Sequence, residues 1–205
     1  MNVLDLFMGT GSATQPFRDC LRGHRVVGVD IDPRSPAEIR CDVRKLPRWV
    51  REYPWDFVWA SPPCTEFSTL TNLRKKWPGK TGPRPEIGME TVRPAFEVAR
   101  SARHFVVENV AGSVQRISQE FGRPSLGWAG RWCWTDLEFG LMNPPSRWWR
   151  KFGRRPSNLE PEKKAEFLEM LRRRGITSDT FAGHTRARSM IPRPLAEAVH
   201  RAVCE

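Results

Sequence analysis

Four short apolar runs, residues 2–7, 25–29, 55–60 and 104–107, each end in polar, glycine or proline punctuation. The endings are Met8-Gly9-Thr10-Gly11, Asp30-Ile31-Asp32-Pro33, Ser61-Pro62-Pro63-Cys64 and Glu108-Asn109. Between the runs lie stretches that read as helices, one at 12–21 closed by Gly23, another within 86–102 that Pro94 is placed to begin or kink. Strands separated in this way by helices predict an α/β fold, a mostly parallel sheet with helices on both faces. Ligands in such sheets gather at the carboxyl ends of the strands, where the punctuation falls.

A chain of 205 residues suits one domain, and 9 Trp and 11 Phe are too many for a disordered tail. No apolar run approaches the ~18 residues of a membrane span. Met1-Asn2-Val3-Leu4-Asp5 carries no basic leader, so a cytoplasmic protein is expected. The second half is less regular. Residues 121–155 are rich in Gly, Pro, Trp and Arg and show no sustained period. Residues 161–174 read as a helix, with Pro161 first, acids early, Arg172–Arg174 late and Gly175 as a stop, and 194–203 as a closing helix.

The balance of 34 Lys+Arg against 23 Asp+Glu gives a net charge of +11, which favours a polyanionic partner, nucleic acid before membrane. Five cysteines, an odd count with no Cys-x-x-Cys pair, do not make a disulfide framework. With His24, His104, His184 and His200 scattered, no metal site is expected, and a reducing compartment is.

Gly9 and Gly11 follow the first strand and precede a helix, where a backbone free of side chains can approach a ligand closely. Tight turns use glycine in the same way, so this piece alone decides nothing. Asp30 could accept both hydroxyls of a ribose or simply cap a turn. Pro62 and Pro63 stiffen a strand end and present the Cys64 thiol, an arrangement suited to a nucleophile. Cys20, Cys41, Cys133 and Cys204 are read as inert. Glu108 is a carboxylate at a neighbouring strand end, either a desolvated proton donor or a solvated cap.

Taken together, Asp5-Leu6-Phe7-Met8-Gly9-Thr10-Gly11, Asp30-Ile31, Cys41-Asp42-Val43-Arg44, Ser61-Pro62-Pro63-Cys64 and Val107-Glu108-Asn109-Val110 resemble the cytosine-C5 DNA methyltransferases in motif order and spacing. The resemblance covers roughly residues 1–115, and 188–196 resembles that family's last motif, which returns to the cofactor site. Cysteine after Pro-Pro, where amino-group methyltransferases carry an aromatic residue, argues against methylation of an exocyclic nitrogen. The resemblance implies a Rossmann-like methyltransferase fold and S-adenosylmethionine as cofactor, with S-adenosylhomocysteine as product. It implies that Phe7 stacks on the adenine, Gly9 and Gly11 pass the methionine moiety, Asp30 holds the ribose and Asp42 the adenine amino group. Ile31, Pro63 and Ser189 complete that implied site. The implied chemistry is attack of Cys64 on C6 of a flipped cytosine, assisted by Glu108 and Asn109.

Two features depart from the family. No Gln-x-Arg-x-Arg stretch follows Glu-Asn-Val, and Arg131 in Gly130-Arg131-Trp132-Cys133-Trp134 is the candidate substitute. The stretch between Val110 and Arg188 is too short for a full target-recognition domain. The expected organisation is therefore one catalytic domain, 1–205, with 121–187 a reduced DNA-contacting region and 188–205 returning to the core. Two basic stretches stand as DNA contacts: Arg74, Lys75, Lys76, Lys80 and Arg84 after the nucleophile, and Arg147, Trp148, Trp149, Arg150, Lys151, Arg154 and Arg155 further on. The expected partner is cytosine-containing DNA, with a monomer favoured. RNA, a free cytosine nucleotide, a modified cofactor or a catalytically inactive DNA-binding homologue are the rival readings.

Overall fold

The computed structural model describes residues 1–67, 84–128, 130–139, 191 and 193–204. Seven strands form one sheet: β1 (Asn2–Leu6), β2 (Arg25–Asp30), β3 (Ile39–Arg40), β4 (Phe57–Ala60), β5 (His104–Val110), β6 (Leu126–Trp128) and β7 (Arg131–Thr135). Their order across the sheet is β3-β2-β1-β4-β5-β7-β6. Pairings among β1 to β5 are parallel, whereas β7 runs antiparallel to both β5 and β6. The chain order reverses direction between β1 and β4, and the carboxyl ends of those two strands open the crevice where open α/β sheets bind ligands.

Side chains alternate along each strand and divide the core in two. Leu4, Leu6, Val58, Ala60 and Val107 pack with α2 (Arg48–Glu52), α3 (Pro85–Ser101) and α4 (Val114–Phe121) on one face. Val3, Phe57, Trp59 and Val106 pack on the other against Phe17 of α1 (Gln15–Asp19) and Leu195, Ala196 and Val199 of α5 (Arg193–Cys204). Arg116 joins α3 to α4 through Glu86 and Glu120, and Arg93 reaches the same two acids.

Several boundaries differ from the sequence reading for identifiable reasons. The helix expected at 12–21 is only α1, because the residues before it are engaged elsewhere. Thr14 Oγ1 donates to the buried Asp5 at 2.6 Å, and Ser12 Oγ accepts from the Ile191 N–H at 2.9 Å. The fourth strand extends to Val110 instead of stopping at Val107, because β7 pairs with it from Val106 to Val110. Leu126–Trp128 and Arg131–Thr135, within a stretch read as irregular, pair as the antiparallel strands β6 and β7. Gly130 between them has φ 79°, and Gly127 lies opposite Trp132, where a Cβ would stand 2.8 Å from the indole. The helix expected at 161–174 lies outside the described residues.

Candidate active site

The first strand end is built from left-handed backbone. Phe7, Gly9 and Gly11 have φ of 61°, 55° and 72°. Glycine adopts such angles freely, but Phe7 does so at a cost of order 1–3 kcal/mol. Its neighbours hold it there: the Met8 N–H donates to Val29 C=O at 3.1 Å and the Gly11 N–H to Met8 C=O at 2.8 Å. Asp30 secures the turn from the second strand, its carboxylate accepting from the N–H groups of Gly9 and Asp32, each at 2.7 Å. Ile31 beside it is exposed, an apolar side chain standing open at the crevice. Asp42 caps the short turn that follows and pairs with Arg44 at 2.6 Å, which holds its carboxyl below the usual carboxylate range.

Beneath this turn lies Asp5, almost fully buried, its pKa raised to about 7 by desolvation. Its hydrogen bond from Thr14 counteracts that burial only in part.

The second strand end carries the nucleophile candidate. After β4, Ser61 receives a hydrogen bond from Trp59 Nε1 at 2.8 Å, Pro62 is buried, Pro63 is exposed and Cys64 is half-buried. Asn109 fixes this turn: its Nδ2 donates to Pro62 C=O at 3.1 Å and its Oδ1 accepts from the Val110 N–H at 2.9 Å. Asn109 thus positions the Pro-Pro-Cys segment. Phe67, three residues past Cys64, donates its N–H to Cys64 C=O at 3.0 Å and seats its ring on Gly88 of α3.

Glu108 is 2% exposed, so it is no solvated cap. The Arg131 guanidinium donates to its Oε1 at 2.9 Å. Because β7 is antiparallel, its first residue, Arg131, lies beside Val110 at the carboxyl end of β5. A strand that returns in the opposite sense therefore delivers the arginine to the carboxylate. Burial pushes the Cys64 thiol above its ordinary range; Arg131 opposes that rise and Glu108 adds to it. Cys133, directly opposite Glu108 in the register, is buried and its thiol is pushed far up, as an inert core residue should be.

Within the 188–196 stretch, Ile191 and the start of α5 are described. Ile191 is buried, hydrogen-bonded to Ser12 just past Gly11, and α5 packs behind it. Ser12 was not singled out in the sequence, where it reads as one of several small turn residues. Among the basic candidates, Arg84 is described and pairs with Glu66 at 3.1 Å. Ser189, Arg74, Lys75, Lys76, Lys80, Arg147, Trp148, Trp149, Arg150, Lys151, Arg154 and Arg155 lie outside the described residues.

A mostly parallel sheet with one antiparallel strand between β5 and β6, and a glycine turn at its switch point, defines the Rossmann-like methyltransferase fold. No family model matches the chain. It is 30% identical over 118 residues to a probable DNA (cytosine-5)-methyltransferase of Frog virus 3 (isolate Goorha), covering 53% of each protein. The chain thus spans about half the length of that curated relative. That similarity points to the cytosine-C5 DNA methyltransferases, the family whose motifs the sequence resembles. No helix among the described residues is long and apolar enough to cross a membrane.

Proposed function

We propose that this protein transfers a methyl group from S-adenosylmethionine to C5 of cytosine in DNA through a covalent adduct between Cys64 and C6. The observation that carries this reading is the buried pair of Arg131 with Glu108 on β5, beside the paired strand β4 whose end leads to the Cys64 thiol. The residues at the first two strand ends fit the cofactor. The Gly9–Gly11 turn bares backbone, Asp30 has lone pairs left for ribose hydroxyls beyond the two backbone N–H groups it accepts, and Ile31 offers an apolar surface. Phe7, Asp42, Pro63 and Ser189 are the remaining cofactor contacts of the proposal. When bound, the cofactor supplies an electrophilic methyl group.

The chain's residues supply the rest. Cytosine C5 is a weak nucleophile until the Cys64 thiolate adds to C6 and delivers an electron pair toward C5. Glu108 takes the proton that the Cys64 thiol gives up and passes it to N3 through a hydrogen bond, stabilising the negative charge that this addition develops. Arg131 is fixed by Glu108, and it serves the target base in place of the missing arginine motif. After C5 has taken the methyl group, its proton leaves to solvent and the electron pair of the C5–H bond re-forms the ring double bond, expelling the thiolate. Asn109 keeps the nucleophile turn in register. The reacting carbon lies inside the duplex stack, so the base is flipped out before attack.

The test is a DNA duplex containing 5-fluorocytosine, incubated with the full chain and S-adenosylmethionine. A fluorine at C5 cannot leave as a proton, so the adduct persists and migrates as a protein–DNA band under denaturing conditions. Cys64→Ala should abolish the band while binding of S-adenosylmethionine persists. An adduct formed on RNA but not DNA would change the substrate; an adduct that survives Cys64→Ala would remove Cys64 from the mechanism.

A further inference from the structure

On the face of the sheet opposite α3, the fold gathers four side chains that the sequence separates widely. Cys20 lies at the carboxyl end of α1, and the Gly23 N–H turns back to its carbonyl at 3.2 Å, with Gly23 at φ 68°. This turn brings His24 back beside Cys20. His200 and Cys204, four residues apart, share one side of α5. Ligand atoms of Cys20, His24 and His200 all lie within 4.8 Å of one another, and Cys204 Sγ is 3.7 Å from His24 Nε2.

We propose that Cys20, His24, His200 and Cys204 form a structural zinc site that ties the C-terminal helix to the turn between α1 and β2. The two pairs read Cys-x-x-x-His and His-x-x-x-Cys, spacings within the range of structural zinc ligands. With Zn–S near 2.3 Å and Zn–N near 2.0 Å, tetrahedral ligand atoms stand roughly 3.3–3.8 Å apart, which matches the Cys204–His24 separation. A second observation points into the same spot: His200 Nε2 is buried with no hydrogen-bond partner among the described residues, a state that metal ligation would relieve. His24 turns Nδ1 toward the main-chain nitrogen of Met1 at 3.5 Å and leaves Nε2 for the metal.

Charge and donor type select the ion. Two thiols each release a proton on binding, so the dication and two thiolates sum to zero, as suits a site flanked by Arg22 and Arg201. A nitrogen and sulfur donor set in tetrahedral array selects zinc over magnesium or calcium. The competing role for these histidines is packing alone, since both rings meet Phe17 edge-on.

The experiment uses the full chain without a histidine tag. Purified protein should carry a single equivalent of zinc by elemental analysis, and its Tm should fall in EDTA. Chelator-treated protein titrated with cobalt(II) chloride should develop tetrahedral ligand-field bands and thiolate charge-transfer absorption, saturating at one cobalt per chain. Cys41→Ser should keep that spectrum, and Cys204→Ser and His200→Asn should lose the tetrahedral bands. A cobalt titration of the wild-type chain that gives only weak octahedral absorption would overturn the proposal, whatever the variants do. So would zinc that stays bound in the Cys20→Ser/Cys204→Ser protein.

Discussion

Glu108 and Arg131 hold each other in place at the price of mutual dependence. Breaking a buried pair leaves a charge without its counterion and typically costs about 3–5 kcal/mol. Arg131→Met should therefore destabilise the protein by about 3 kcal/mol in denaturant unfolding. Arg131→Met/Glu108→Gln should recover most of that stability, because neither buried charge remains. Turnover should stay low in the double variant, since one positioned acid is typically worth ~10²–10⁴-fold. Recovery of both properties together would make the pair structural. Asp5 makes a separate prediction. Its carboxyl is held neutral by burial, with its pKa raised from 3.8 to about 7. Below pH 4 the folded and unfolded chains both bind that proton, and its favourable contribution is fully present. As pH rises toward 7 the unfolded chain releases the proton first, and stability falls by up to about 4 kcal/mol. Asp5→Asn keeps the partner for Thr14 and cannot ionise. Its advantage over the wild type should grow between pH 4 and 7 in parallel unfolding curves. A constant difference across that range would mean that Asp5 is charged in the folded protein.

Elements place these residues, and only some elements can be read in a sequence. The four strand ends were legible because each combines an apolar run with an abrupt stop: Gly9 and Gly11, Asp30, Pro62-Pro63-Cys64 and Glu108-Asn109. The β6–β7 strand pair was not, because three- and five-residue strands are too short to establish a period, and Gly127 looks like a breaker until Trp132 is seen across from it. Without those strands Arg131 has no address, and its pairing with Glu108 is a tertiary fact. The meeting of Cys20 and His24 with His200 was hidden for the same reason, sequence distance. Helix α3 supplies the prediction at this scale. An alanine Cβ at Gly88 would stand 2.5 Å from the Phe67 ring, whose backbone is hydrogen-bonded to Cys64. Overpacking of this kind typically costs about 1–3 kcal/mol. Gly88→Ala should slow adduct formation with 5-fluorocytosine DNA, and Phe67→Leu in the same chain should restore part of the rate. Failure of that rescue would show that Phe67 does not carry the effect.

The whole molecule carries a net charge of +11, and under the proposed function phosphate contacts are the expected source of affinity for DNA. The described part spends much of its basic charge internally. Arg84 is paired with Glu66, Arg44 with Asp42 and Glu90, Arg116 with Glu86 and Glu120, and Arg131 with Glu108. Two dense basic stretches, Arg74, Lys75, Lys76 and Lys80, and Arg147, Arg150, Lys151, Arg154 and Arg155, lie outside the described residues. Each cation that neutralises a duplex phosphate adds about 0.9 to the magnitude of the log–log salt slope of binding. Neutralising Arg74, Lys75 and Lys76 together should therefore flatten that slope by roughly two to three units and weaken methylatable and unmethylatable duplexes alike. Arg84, already held by Glu66, should contribute less than any one of the three. Replacing Trp148 and Trp149 by alanine should leave the slope nearly unchanged and instead reduce turnover, because stacking surfaces serve bases and not phosphates. Equilibrium binding over a salt series, measured for each variant on one duplex, separates the two contributions. An unchanged slope in the triple variant would place those cations away from the DNA and move the phosphate contacts to the second basic stretch.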